Sequence, residues 1–377
     1  MKHTLYFVFC MDTEGPVTDN SDPTLLESWK KVDVALGKIF SPGIRNLIRD
    51  DSGKSFKMSW FFLDWVGFRT NPVKRKLGYH KIRDHYTKTW SAQIKQFSDG
   101  MYWHYHHPPK DGVGNHWETD WLWSNQHEDI MNHLIIDRKF YPTIFRAGGT
   151  IENNDASLWL ENHIPFDFSN RAPFKNPFLD WSRAPKKWGV YHPSRTDYQK
   201  IGNMKRAIAR SLDLSGREYT IPEEEVEAAF SQAMQTGNAI FSVFSHDYRD
   251  ISSQIEHFSL ILRDMRKKYP QVKFVNATAQ DAINRNLYPT KNIPKIDLKI
   301  QKGTKGLTIR LLSAKHMFLR APYVALKSKN KEYSRVKVAR MEDNTWVVDH
   351  HALRNGEKIG VAVCDTRANF AVRVLTL

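Results

Sequence analysis

The chain has 377 residues, of which 41% are hydrophobic and 12% aromatic, and its formal net charge is +15. This length allows two domains, and the apolar content excludes a disordered protein. The positive charge favours an anionic partner, such as nucleic acid, an acidic membrane surface or an acidic glycan. The basic residues are dispersed in short clusters and no nucleic-acid recognition motif is present, so a nucleic-acid partner is not expected.

Cysteine usage and hydropathy bear on the cellular location. Cys10 and Cys364 are the two cysteines, and their wide separation predicts neither a disulfide framework nor a thiolate zinc site. The apolar run at the N-terminus passes directly into Asp12 and Glu14 without a cleavage pattern, so we interpret it as a strand rather than a signal peptide. No run approaches about 18 apolar residues, so no transmembrane segment is predicted. The expected location is the cytoplasm.

The first predicted element is a strand that ends in two carboxylates. Residues 5–11 are apolar throughout, which is typical of a strand buried on both faces. Asp12 and Glu14 follow, and the side chains of residues two apart point the same way while the backbone stays extended. Two such carboxylates repel each other unless a cation or a shared proton lies between them. The carboxyl ends of strands are also where α/β folds bind ligands.

Helical and extended patterns then alternate as far as residue 288. Helical spacing predicts helices near 24–40, 80–97, 127–139, 155–162, 204–214, 222–236, 251–268 and 278–286. Further strands are predicted near 56–63, 143–146, 165–168, 239–245 and 272–276. This alternation predicts an α/β fold with a parallel sheet, closed or distorted into a (β/α) barrel. In such a barrel the polar residues that follow the strands lie on one face.

A change of pattern at Pro289 to Pro294 predicts a linker and an additional domain. Beyond it, apolar and polar residues alternate in about seven short segments, which predicts a small antiparallel β-sandwich. Asn355-Gly356 predicts a hairpin turn within it. The expected domains are therefore 1–288 and 289–377. The C-terminal domain contains no catalytic pattern, and we interpret it as an accessory that packs, or that binds a glycan or a partner.

A cluster of histidines predicts a metal site. His104, His106 and His107 occupy three of four successive positions, and neutral imidazole is a common ligand of zinc and similar metals. His104 and His106 share a face if the backbone is extended, whereas His104 and His107 share one in a helical turn, so the sequence leaves the pair open. Two imidazoles and one carboxylate from the first strand would form a three-ligand catalytic zinc set with a position open for water.

The order of these motifs resembles the polysaccharide deacetylase superfamily, the NodB-homology fold of carbohydrate esterase family 4, over roughly residues 1–288. The family's acidic motif corresponds to Asp12-Thr13-Glu14-Gly15-Pro16, which has one additional residue between its carboxylates. The family's His-x-x-x-His motif corresponds to residues 104–107, and Trp103 stands where its first histidine would fall.

Three later motifs extend the resemblance. The family's arginine motif corresponds to Phe145-Arg146-Ala147-Gly148-Gly149. A strand with an aspartate and a serine corresponds to Phe166-Asp167-Phe168-Ser169, and a late strand that ends in histidine corresponds to Val243-Phe244-Ser245-His246. The implied fold is therefore a distorted (β/α) barrel of the NodB-homology type, followed by the β-sandwich.

The resemblance implies a metal-dependent hydrolase that removes an N-acetyl group from a sugar. The substrate would be a cell-surface polysaccharide or its lipid-linked precursor. Glu14 is implied as a metal ligand together with the clustered histidines, and Asp12 as the general base, although the two carboxylates could exchange these roles. Arg146 would keep Asp12 ionised and His246 would protonate the leaving amine. The expected cofactor is a divalent metal, Zn²⁺ first, with Ni²⁺, Co²⁺ or Mn²⁺ as alternatives.

Three tryptophans are candidates for sugar binding. Trp103, Trp117 and Trp121 lie in or beside loop-like stretches, where they could stack on sugar rings or anchor the loops. Two other functions stay open. One is another amide hydrolase on the same fold that acts on a small non-sugar amide or imide. The other is a non-catalytic protein that binds a glycan or a polyanion and has a degenerate metal site.

Overall fold

The computed structural model describes residues 3–19, 22–64, 81–108, 110, 121–177, 179–214, 221–289, 296–303, 306–312 and 317–377. By its packing the chain divides into two compact units. The first comprises Met1–Thr119, Ile144–Asn154 and Phe166–Pro289, and the second comprises Asp120–Thr143, Asp155–Pro165 and Thr290–Leu377. The second unit thus contains two stretches of chain that precede the predicted linker.

The strands and helices are numbered in chain order over the described residues. The strands are β1 (Thr4–Thr13), β2 (Met58–Leu63), β3 (Gly100–Tyr105), β4 (Ile144–Ala147), β5 (Phe166–Asn170), β6 (Val190–Tyr191), β7 (Ala207–Arg210), β8 (Leu212–Asp213), β9 (Asn238–His246), β10 (Lys273–Asn276), β11 (Leu298–Gly303), β12 (Gly306–Leu311), β13 (Tyr323–Ser328), β14 (Tyr333–Val336), β15 (Ala339–Glu342), β16 (Thr345–Asp349), β17 (Gly356–Cys364) and β18 (Phe370–Thr376). The helices are α1 (Trp29–Ile39), α2 (Pro42–Arg45), α3 (Lys81–Thr89), α4 (Ser91–Phe97), α5 (Gln126–Arg138), α6 (Asn154–His163), α7 (Glu223–Thr236), α8 (Ser252–Lys268) and α9 (Ala279–Leu287).

The first unit is built on one curled, mostly parallel sheet. Its order is β6-β7-β5-β4-β3-β2-β1-β9-β8, with β10 pairing the beginning of β1. Along the described residues this ladder is not a closed barrel, because β6 and β8 are its end strands. However, β7 pairs with β5 while β8 pairs with β9, and only Ser211 separates β7 from β8. The short segment that forms β7 and β8 therefore pairs near both ends of the ladder. The predicted distorted barrel is thus present in part.

The apolar residues of β1 explain why it occupies an interior position of this sheet, between β2 and β9. Phe7 lies between the rings of Phe241, Phe258 and Phe274, at centroid distances of 6.2, 5.9 and 5.7 Å. Burying a phenylalanine side chain contributes about 1.5–3 kcal/mol, so a run of such residues favours the position with neighbours on both sides. The register then sets Asp12 opposite Phe61 of β2 and His246 of β9. The carboxyl end of β1 is in this way fixed beside that of β9.

The prediction of a helix at 204–214 is wrong, because this segment forms β7 and β8. Arg206 and Arg210 are four apart, a spacing that fits one face of a helix and equally one face of a strand. Both side chains are buried: Arg206 pairs with Glu152 and Asp167, and Arg210 pairs with Glu225. These buried partners, together with the pairing of β7 on β5, outweigh the local preference of the sequence.

The second unit contains two four-stranded antiparallel sheets, β11-β12-β16-β15 and β14-β13-β17-β18. Their inner faces share one apolar cluster, which includes Ile309 from the first sheet and Val361 from the second. Asn355 does adopt the left-handed backbone expected of a turn residue, with φ of 62°. The hairpin prediction is wrong, because β16 and β17, the strands on either side, belong to different sheets. Within the described part of the chain, no helix is long and apolar enough to cross a membrane.

Candidate active site

The carboxyl ends of four strands of the first unit bring together the predicted polar residues. Asp12 ends the apolar part of β1 and Glu14 follows it, His104 and His106 come from β3 and the residues after it, and Arg146 comes from β4. These five side chains are at most 3% exposed. His246, at the end of β9, keeps 22% of its side chain exposed. The site is thus a buried polar cluster that one imidazole connects to solvent.

Glu14, His104 and His106 present three potential metal ligands to one another. The Nε2 atoms of the two histidines are 3.1 Å apart, and Glu14 Oε1 lies 3.6 Å from that of His104 and 3.5 Å from that of His106. In a tetrahedral zinc site with bonds of about 2.05 Å, neighbouring ligand atoms are about 3.3 Å apart. The three separations therefore suit a divalent cation, and these residues could hold one.

The hydrogen bonding of His104 prepares it as a ligand. Its Nδ1 lies 2.9 Å from the carbonyl oxygen of Arg146, which can only accept, so Nδ1 carries the proton. The Nε2 atom of the neutral ring then has a lone pair, and it is this atom that faces Glu14 and His106. A backbone carbonyl that fixes the tautomer and orientation in this way is typical of histidines that bind metals.

The position of His106 depends on a glycine in the next strand–loop connection. A β-carbon added to Gly148 would lie 2.3 Å from Cγ of His106 and 2.4 Å from its Cδ2. Those distances are far below van der Waals contact, so any other residue at 148 would displace the ring. The first glycine of the Gly-Gly pair after Ala147 is therefore required to leave room for the His106 ring.

Asp247 holds the turn that carries Glu14. Its Oδ1 accepts from the backbone N–H of Glu14 at 2.8 Å, and both of its oxygens lie 3.1 Å from the backbone nitrogen of Gly15. Tyr86 donates its hydroxyl to Oδ2 at 2.9 Å. Burial raises the pKa of Asp247 to about 7, although these donors oppose the shift. Gly15 adopts φ of +69°, and a β-carbon there would meet the Trp29 ring at 3.1 Å.

Asp12 is paired with Arg146 instead of joining the ligand group. Nε of Arg146 donates to both carboxylate oxygens at 2.8 Å. Nη1 of the same guanidinium donates to the carbonyl of Phe168 at 2.5 Å, and its carbon lies 3.7 Å from the centroid of the Phe244 ring. These three contacts fix the position of the guanidinium. Its positive charge is therefore held against Asp12.

His246 lies beside both carboxylates. Its Nε2 is 3.9 Å from Asp12 Oδ2 and 3.9 Å from Glu14 Oε1. Burial lowers the pKa of His246, and the charges of Glu14 and Asp12 act in the opposite direction by favouring the protonated ring. The ring also stacks on Tyr248, at a centroid distance of 4.8 Å. A partly exposed imidazole between two carboxylates can exchange protons with a ligand and with solvent.

The structure does not bring every predicted site residue to this cluster. The Nδ1 of His107 lies 2.9 Å from the Tyr105 hydroxyl oxygen, and His107 is not part of the ligand group. Trp103 has no exposed surface and packs on Tyr105 and Phe145. Trp121 is also buried, against His127 and Trp159 within the second unit. These two tryptophans are core residues in this structure, and Trp117 lies outside the described residues.

Asp247, Tyr86 and Gly148 acquire their significance only from the structure. Asp247 directly follows His246 in the sequence, but only the structure shows that it binds the backbone of Glu14 and Gly15. Tyr86 lies on α3, and only the structure shows that its hydroxyl donates to Asp247. Another group of possible ligands, Asp349, His350 and His351, is exposed and contiguous in sequence.

Comparisons with known proteins give limited information. No protein-family model matches the chain, and no curated protein does. Among solved structures, a protein from Mycobacterium smegmatis that is provisionally described as a polysaccharide deacetylase aligns with 12% identity and a TM-score of 0.42. The alignment covers 78% of this chain and 96% of the other. Similarity at this level is too low to assign a function.

Proposed function

We propose that this protein is a metal-dependent hydrolase that removes an N-acetyl group from a sugar of a cell-surface polysaccharide or of its precursor. One observation carries the proposal. Two imidazoles and the carboxylate of Glu14 offer ligand atoms within 4.8 Å of one another, beside the ion pair of Asp12 and Arg146. A cation site, a shielded carboxylate and an imidazole can together support the hydrolysis of an amide by water.

A bound cation would be held by Glu14, His104 and His106, where it would polarise an amide carbonyl and make water more acidic. Asp12 is the base that takes a proton from the attacking water. Arg146 fixes the orientation of Asp12, because its Nε donates to both carboxylate oxygens. Asp12 is better suited to this role than Glu14, which faces the two imidazoles.

His246 supplies the proton that the leaving group needs. In hydrolysis the water oxygen bonds to the acyl carbon, the carbon–nitrogen bond breaks, and the departing nitrogen must gain a proton to leave as an amine. Nε2 of His246 lies beside both carboxylates, and it is the partly exposed group of the site. The products are acetate and a free amino sugar.

The choice of a sugar substrate rests on the motif order of the sequence, and a cytoplasmic step in glycan assembly is part of the same proposal. A small non-sugar amide would suit the same chemistry. Release of acetate from N-acetylated oligosaccharides, compared with hydrolysis of small amides and imides, distinguishes these two substrate classes. If only the small amides were hydrolysed, the protein would be assigned as a hydrolase of small non-sugar amides.

The metal site can be tested separately from turnover. We expect the purified chain to bind about one divalent ion at the buried site, and Glu14→Gln and His104→Ala to abolish this binding and the acetate release together. The matched control removes the exposed ligands with Asp349→Ala, His350→Ala and His351→Ala, and should leave the acetate release unchanged. Retention of the buried ion by both site variants would refute the proposal. An intact ion without hydrolysis of any amide would favour the non-catalytic binding protein.

A further inference from the structure

A basic cavity in the second unit is separate from the proposed catalytic residues. It has a volume of about 670 Å³, within the range of roughly 300–1,000 Å³ that is typical of small-ligand sites. Residues at the ends of α5 and α6 line one side, and the chain around β13 and β14 lines the other. Its walls contain apolar side chains that could cover the C–H face of a ligand: Leu319, Ala321, Pro322, Val336 and Val338.

The charges of this cavity do not balance. Its lining includes three cationic side chains, Arg320, Arg335 and Lys337, and one carboxylate, Glu128. Arg335 donates to Glu128 at 2.8 Å. Arg320 and Lys337 are exposed, and among the described residues neither has an ion-pair partner. Two exposed positive charges in the lining of the cavity are thus available to an anion.

The position of Arg335 would allow this side chain to contact a bound anion as well. Its guanidinium lies over the ring of Tyr323, with 4.7 Å between its carbon and the ring centroid. Tyr323 is fixed in turn, because its hydroxyl donates to Asn132 Oδ1 at 3.2 Å. The ion pair with Glu128 is 42% exposed on its arginine side, and exposed pairs contribute only about 0–1 kcal/mol. A guanidinium held in this plane can offer its remaining N–H groups to a carboxylate or a phosphate.

We propose that this cavity binds an oligosaccharide that carries carboxylate or phosphate groups. The unbalanced charge selects an anion, the concave shape selects a compact ligand rather than an extended nucleic acid, and the apolar walls suit sugar rings. That the anion is borne by a sugar rests on the proposed function, since an enzyme that acts on a polymer gains affinity from an additional site for that polymer. The anion selectivity itself does not depend on the metal centre.

The test uses the full chain with Glu14→Gln, so that turnover cannot change the ligand. Calorimetric titration compares trigalacturonic acid, a phosphate-bearing trisaccharide and neutral galactotriose. We expect the better of the two anionic ligands to bind at least about 10-fold more tightly than galactotriose, and the preferred one identifies the anionic group. Arg320→Glu with Lys337→Glu should weaken that ligand by about 10-fold or more.

A matched control makes the same change of charge elsewhere on the second unit. Lys299→Glu with Lys329→Glu alters two exposed lysines outside the cavity and should leave the affinity within about twofold. An equal loss in this control, or equal binding of galactotriose, would overturn the proposal. Tighter binding of a short DNA single strand, with the same sensitivity to the cavity variants, would also overturn it in favour of nucleic acid. Because acetate release is measured on the parent chain, failure here is distinguishable from failure of the proposed function.

Discussion

Arg146 binds Asp12 through a single nitrogen: Nε donates to both carboxylate oxygens at 2.8 Å, while Nη1 is directed to the backbone of β5. The bond to the β5 backbone therefore holds the guanidinium in place independently of its bonds to Asp12. Asp12 in turn lies 3.8 Å from Nδ1 of His104 and 3.9 Å from Nε2 of His246. The ion pair thus lies beside the group of potential metal ligands, to which neither Asp12 nor Arg146 belongs.

We expect Arg146→Gln to lower kcat by about 100-fold or more while the metal content is retained, because general-base catalysis contributes about 10²–10⁴-fold. Steady-state kinetics on an acetylated oligosaccharide and metal analysis of the same sample provide the measurement. The variant also removes the bond to Phe168, so thermal unfolding must be recorded in parallel. Loss of the metal from a folded Arg146→Gln chain would instead mean that the arginine positions the metal ligands.

Gly148→Ala should disrupt the ligand group without changing any ligand. The new methyl group would lie 2.3 Å from Cγ of His106, so the ring has to move and the metal affinity should fall by about 10-fold or more. Competition with a chromogenic chelator measures this affinity. Gly37→Ala is the control, since its β-carbon would meet its nearest neighbour, Trp90, at an ordinary 3.8 Å. Unchanged affinity in Gly148→Ala would show that His106 is not a ligand.

Asp247→Ala should act on the metal through Glu14. The carboxylate accepts from the N–H groups of Glu14 and Gly15, and its loss frees the turn that orients Glu14. Partners of this kind typically contribute roughly 10–100-fold to metal affinity. We expect a loss in that range, with a smaller loss for Tyr86→Phe, which removes one donor to the same carboxylate. If Tyr86→Phe proved the more damaging, Asp247 would not be the residue that positions the turn.

A buried triad should make stability depend on pH. Arg206 lies between Glu152 and Asp167, and all three side chains are at most 1% exposed. Burial is the main cause that raises the pKa of Glu152 from its ordinary 4.5 to about 8, and the charge of Asp167 adds to the shift. The folded chain therefore binds this proton more tightly than the unfolded chain does. Its contribution to stability is complete below pH 4.5 and is lost as the pH rises to about 8.

Glu152→Gln isolates this contribution. Between about pH 5 and 8 the free energy of unfolding of the parent should fall relative to that of the variant by up to about 1.4 kcal/mol per pH unit, which corresponds to one proton. Urea unfolding of both chains across this range measures the difference. Parallel curves for the two chains would mean that Glu152 is ionised in the folded protein.

Much of the first unit follows from local pattern. The apolar run of β1, the alternation of helices and strands, and the carboxylates at the end of β1 all depend on neighbouring residues, so the sequence alone predicts them. The helix predicted at 204–214 fails for a reason that no local pattern contains. Arg206 pairs with Glu152, and Arg210 pairs with Glu225. Burial of the two arginines beside these partners favours a strand in this segment.

For the candidate site, the sequence by itself determined the residue types: two carboxylates, a cluster of histidines, an arginine and a late histidine, each after a strand. Only the tertiary structure decided between the arrangements that the sequence left open, with Glu14 beside His104 and His106, Asp12 beside Arg146, and His107 beside Tyr105. The tertiary structure also decided the placement of α5, which contacts β13, β14 and β17 in the second unit. The physical reason is that a strand fixes which side chains share a face, whereas distances between strands depend on sheet register and on packing between segments far apart in the sequence.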